Sequence, residues 1–174
     1  MKGNEEQKKV FFKNLDLLNP GQRSALRRAS GTMIEEVPHQ TRMIFYRCLP
    51  DGIPQWQESR WFAIACLRCL WDAEPEDKEK KTGKQEAKPL VDIIRGLLKE
   101  EAISDSAMHR VSSLLEESWD TDGYMLMKLK GLIQLVRQKS PEMPDFSKLL
   151  DDLIGWNSDK QYVQFNWSRA ITLG

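Results

Sequence analysis

Leu18-Asn19-Pro20-Gly21-Gln22-Arg23-Ser24-Ala25-Leu26-Arg27-Arg28-Ala29-Ser30-Gly31 reads as a short, sharply bounded helix. Asn19 offers a side-chain oxygen to cap it, and Pro20 suits the first helical position because the N–H it lacks would be unpaired there. Gly31 suits a left-handed exit. At about 100° per residue, Gln22, Ala25, Leu26 and Ala29 fall on one side while Arg23, Arg27 and Arg28 fan across the other. The helix holds no carboxylate to pair with these guanidiniums, so they form a surface suited to phosphate. A solvated polar face is the plainer reading of the same pattern.

To the N-terminal side, Val10, Phe11, Leu15 and Leu18 recur at helical spacing and predict an amphipathic helix over 4–18. Beyond Gly31, Pro38 opens a helix over 39–49 that Pro50-Asp51-Gly52 ends. Residues 55–71 carry Trp56, Trp61, Phe62, Ile64, Leu67, Leu70 and Trp71 nearly all round, which predicts a central, buried helix. The chain then changes character: residues 74–88 hold Pro75, five lysines, five acids and no large apolar side chain. Such a segment buries too little surface to offset its ordering entropy and is expected to be a mobile linker.

Helical spacing resumes with Leu90, Ile93, Ile94, Leu97 and Leu98, then with Met108, Val111, Leu114 and Leu115 behind a cap at Ser104 or Asp105. The segment from Asp120 to Asp122 is expected to cap a basic helix. Its apolar arc, from Met125 to Val136, is bordered by Lys130 and Arg137 on one side and by Lys128 and Lys139 near the other. Asp145 starts a further helix running to Trp156, and residues 160–171 form the last. No run of β-branched residues alternates with polar ones, and no solenoid repeat occurs. The expected fold is all-α: two small helical bundles, residues 1–73 and 89–174, joined by the charged flexible linker 74–88. A long charged loop within one bundle is the alternative.

The 174 residues carry no net charge, which argues against a strongly basic nucleic-acid binder, but the charges are segregated. Residues 100–122 hold seven acids against Arg110 alone, whereas 124–139 hold Lys128, Lys130, Arg137 and Lys139 and no acid. The surface is therefore expected to be bipolar. No stretch approaches the roughly 18 apolar residues of a membrane span, and the N-terminus lacks a secretory pattern. With the odd set of cysteines, Cys48, Cys66 and Cys69, in apolar surroundings, this points to a cytoplasmic protein.

Cys66-x-x-Cys69 lies inside an apolar helix, without a second cysteine pair and with only His39 and His109 as histidines. Buried thiols are expected rather than a metal site. His39 and His109 read as surface residues, and Trp61, Trp71, Trp156 and Trp167 as packing residues rather than base-stacking platforms. Neither a nucleophile elbow, a phosphate loop nor a dinucleotide fingerprint occurs, and no carboxylate spacing singles out an acid and base pair. No enzyme, cofactor or metal is expected.

Leu18-Asn19-Pro20-Gly21 leading into Ala25-Leu26-Arg27-Arg28-Ala29, then Phe45-Tyr46-Arg47, and later Phe146-x-x-Leu149-Leu150-x-Asp152-Leu153-x-x-Trp156 with Trp167, resemble the small subunit of the type I-E CRISPR surveillance complex Cascade, the CasB family. The similarity spans nearly the whole chain in order. The resemblance implies a non-catalytic, all-helical, two-lobed subunit that lies beside other Cascade subunits and a second copy of itself. It also implies a role in holding guide RNA and the target or displaced DNA strand, while guide pairing reads the sequence. Arg27 and Arg28 lie within the matching motif and Arg23 one turn earlier. Lys128, Lys130, Arg137 and Lys139 are carried on charge alone, and one or two of the seven are expected in salt bridges. The neutral total charge implies that acids such as Glu116, Glu117, Asp151 and Asp152 meet basic partner subunits. A helical adaptor that binds only protein is the reading from a different class.

Overall fold

The computed structural model describes residues 4–72, 87–119 and 123–173. The described residues are all-α. Their helices are α1 (Glu5–Asp16), α2 (Pro20–Arg28), α3 (His39–Cys48), α4 (Glu58–Trp71), α5 (Leu90–Lys99), α6 (Ser106–Leu115), α7 (Tyr124–Lys139), α8 (Phe146–Ile154) and α9 (Tyr162–Leu173). One isolated parallel bridge joins Lys88 to Pro144. Of the proposed linker, residues 74–86 lie outside the described residues. Lys88 is tied to the second half, its N–H donating to Met143 O and its carbonyl accepting from Asp145 N–H.

Side-chain caps explain where three of the helices begin. The Asn19 side chain accepts from Gln22 N–H at 2.8 Å while Gln22 Oε1 accepts from Asn19 N–H at 3.0 Å, a reciprocal cap ahead of Pro20. Asn4 and Asp145 cap α1 and α8 in the single-bond form. Several starts differ from the sequence reading: α4 begins at Glu58 after a 3-10 turn over Gln55–Gln57 rather than at 55, and Asp105 at the head of α6 makes no side-chain cap. Gly123, at φ +77°, is the residue that turns the chain into α7, with no side-chain cap; the expected cap at 120–122 lies outside the described residues. The last helix begins at Tyr162 rather than at 160, because Gln161 takes φ +50° and donates its N–H to Ser158 O in a turn.

One apolar core runs through both halves, from Phe11 to Ile171. Its centre is α4, whose Trp61, Ile64 and Ala65 are fully buried and which packs against α2, α7 and α8. In the first half Phe11 meets Trp61 edge to face at 4.9 Å, and Phe45 meets Phe62 at 5.2 Å. In the second, Trp156 and Trp167 meet at 5.6 Å. Contacts between the halves are both polar and apolar: Lys8 Nζ lies 2.9 Å from Asp151 Oδ2, and the Trp71 ring centroid is 6.5 Å from that of Phe146. Each large side chain buried here contributes about 1.5–3 kcal/mol relative to exposure.

Candidate nucleic-acid interface

The cations of α7 stand on two faces. Two residues of helix turn the direction by about 200°, so Lys130 and Arg137 point away from Lys128 and Lys139. The first pair meets α2 and α4. Lys130 lies along the exit from α2, so close that a Cβ on Gly31 would stand 2.9 Å from its Cδ. Arg137 Nε donates to Trp71 O at 3.0 Å, and Arg27 Nε donates to Cys69 O at 3.4 Å. Both acceptors lie in the last turn of α4, where a helix leaves carbonyls unpaired and its dipole is negative.

Arg23 sits one turn back on α2. Its Nε donates to Leu18 O at 3.1 Å and its Nη2 to Asp16 O at 2.6 Å, so it braces the end of α1. Arg28 is exposed. Arg68 joins the same region, paired with Asp72 at 2.5 Å and Asp16 at 3.6 Å. Sequence reasoning missed it; the available signal was a lone cation near the end of an otherwise apolar helix. Through its Nε bond Arg27 is held in place, while its Nη groups have no partner among the described residues. Guanidiniums anchored in this way, with donors to spare, suit a phosphate backbone without reading bases.

Lys128 and Lys139 line the opposite side of α7, facing α6. Lys128 is paired with Glu117, and Lys139 is exposed. The acids considered for partner contacts are mostly engaged within the chain. Asp151 is held by Lys8, and Asp152 accepts from Lys148 and from Trp167 Nε1; only Glu116 of that group has no partner among the described residues.

The remaining candidates are placed as follows. Cys48, Cys66 and Cys69 are buried free thiols. Burial pushes Cys48 up to about 11 and Cys69 up to about 12, and it raises Cys66 well above the ordinary thiol range. His39 and His109 are exposed, and Trp61, Trp71, Trp156 and Trp167 are buried. Trp119, which the sequence reading did not weigh, is buried against the Arg60 guanidinium at 5.3 Å, with Trp56 on Arg60 at 5.4 Å. Among the described residues no group of three or more His, Cys, Asp or Glu could hold a metal ion, and no helix is long and apolar enough to cross a membrane.

The family model described as CRISPR-associated protein Cse2 matches residues 22–170. The chain belongs to the Cse2 family. The match covers Ala25-Leu26-Arg27-Arg28-Ala29, Phe45-Tyr46-Arg47, the pattern from Phe146 to Trp156 and Trp167, and begins just after Leu18-Asn19-Pro20-Gly21. The fold is similar to that of CasB from Thermus thermophilus, with a TM-score of 0.72, 23% identity and 100% of each chain covered. It is also similar to M. ruber CasB, with a TM-score of 0.70, 22% identity, and 95% of this chain and 91% of that one covered. A chain of a CRISPR RNA-guided surveillance complex gives a TM-score of 0.72 at 17% identity, with 95% and 91% covered. No curated sequence matches the chain.

Proposed function

We propose that this Cse2-family chain is a non-catalytic, cytoplasmic subunit of a type I-E CRISPR effector. In this reading it sits beside the other Cascade subunits and a second copy of itself. It holds nucleic-acid backbone without sequence preference while guide RNA pairs with its target and the other DNA strand is displaced. The observation that carries this reading is the convergence of Arg27 from α2 and Arg137 from α7 on the last turn of α4, with Lys130 of the same α7 face lying along the exit from α2. Arg23, Arg28 and Arg68 flank that point, with Asp16 and Asp72 as the neighbouring carboxylates. Arginine groups tied to backbone carbonyls keep their charge and lose little further freedom on meeting phosphate.

The test is binding of labelled single-stranded DNA to the full chain over a range of salt concentrations. Affinity is expected to fall steeply with salt. Arg28→Ala, which disturbs no side-chain bond among the described residues, should reduce the log–log salt slope by about 0.7, as should each further phosphate contact removed. Arg27→Ala plus Arg28→Ala should weaken binding further while circular dichroism stays unchanged. Equal binding by the folded double variant and its parent would sink the nucleic-acid reading. The protein-only adaptor would then stand.

A further inference from the structure

We infer that the groove between α6 and α7 is a docking site for an acidic, amphipathic segment of a partner protein. Two adjoining cavities, of about 490 and 300 Å³, lie along this seam and share Arg110. Lys128, already paired with Glu117, lines one and Lys139 the other, eleven helical residues or about 16 Å away, so the unpaired charge of the rim is that of Arg110 and Lys139. Arg110 and Lys139 are exposed and make no ion pair with any described residue. None of the described residues lining either cavity is a carboxylate.

The floor is aliphatic. Leu132, Leu135 and Ala107 supply it, and the chain leaves it open at Gly131, where an added Cβ would meet no atom within 4 Å. An apolar trough rimmed with cations is complementary to a helix or strand that carries aliphatic side chains on one face and carboxylates beside them. It suits a single nucleic-acid strand poorly. Strand-binding grooves present aromatic faces on which bases stack, and no aromatic ring other than the His109 imidazole lines these cavities. The inference stands apart from the phosphate-binding reading, since Lys128 and Lys139 face away from α2 and α4.

The full chain can be titrated with a panel of fluorescein-labelled peptides of about four helical turns or equivalent extended length, patterned with Leu and Glu. Matched Leu and Lys peptides and a labelled single-stranded oligonucleotide serve as comparisons. The acidic peptides should bind, more weakly as salt rises, and the basic ones should not. At Gly131 an added Cβ meets no atom within 4 Å and leucine has the higher helix propensity, so Gly131→Leu should fold at least as well as the parent, which urea denaturation checks, while its side chain occupies the trough. It should weaken peptide binding by about tenfold or more, as should Arg110→Glu, whereas Arg28→Ala should leave peptide binding unchanged. Failure of every acidic peptide to bind would overturn the inference, as would peptide binding by Gly131→Leu equal to that of the parent. Loss of oligonucleotide rather than peptide binding in Gly131→Leu would assign the groove to nucleic acid instead.

Discussion

Arg27 and Arg137 each do two things at once. Their Nε groups satisfy carbonyls that α4 leaves open at Cys69 and Trp71, and the same bonds fix where the guanidinium charge sits. Arg60 is the contrasting case: it is 9% exposed, lies between the Trp56 and Trp119 rings, and donates to Trp56 O at 2.7 Å. That charge is structural. The thiols are also withdrawn from solvent, and burial raises the pKa of all three, so near pH 8 they remain protonated and shielded. Native protein treated with a thiol-specific chromogenic reagent at that pH should react over hours rather than seconds. Denatured protein should release three equivalents at once, one each from Cys48, Cys66 and Cys69. Rapid reaction of any one of them in the folded chain would contradict the burial described.

At the scale of elements, α2 is the best-announced helix in the chain. The Asn19, Pro20 and Gln22 that begin it are neighbours in sequence, so its start follows from local bonding alone. Removing the cap therefore has a readable effect. Asn19→Ala should lower stability by about 1 kcal/mol in urea denaturation, and Asn19→Asp should retain most of it. Helix α7 was legible in a different way. Its 3.6-residue period placed Lys130 and Arg137 on one border and Lys128 and Lys139 on the other. Which border meets α2 depends on packing between distant segments, which no local pattern encodes. The same reason hid Arg68 and Arg110. Arg68 lies among the apolar residues of α4, and Arg110 is the lone cation of an acid-rich stretch, so composition gave neither a face. Gly123 enters α7 through a left-handed conformation, a backbone role that apolar period and charge do not reveal.

At the scale of the whole molecule, the two halves share one core, and two polar devices hold them in register. The loop after α6 is clamped at Trp119, whose backbone exchanges two 2.8 Å hydrogen bonds with the Asn157 side chain while its ring N–H donates to Ser59 Oγ at 2.9 Å. Lys8 of α1 is the other device: it is 3% exposed and lies 2.9 Å from both Glu5 and Asp151. Desolvation acts to lower its pKa, but the hydrogen bonds it donates to Glu5 and Asp151, with the charges of those carboxylates, outweigh it and the net shift is upward. A group whose folded pKa is raised adds stability that is fully present below its unfolded value near 10.5 and is lost as pH rises through the higher folded value. The Lys8 contribution is thus constant across neutral pH and fades only in strong alkali. Truncating one partner of so enclosed a pair costs about 3 kcal/mol, because the other charge is left poorly compensated, whereas replacing both with apolar groups of similar size restores much of the loss. Lys8→Ala should therefore lower the urea midpoint markedly at pH 7, and Lys8→Met with Asp151→Leu should recover most of it. Because α4 packs against helices of both halves, each variant should still unfold in one transition, with tryptophan fluorescence and circular dichroism coincident. Two separated transitions would mean that the halves fold independently and that α4 is not the common core of both.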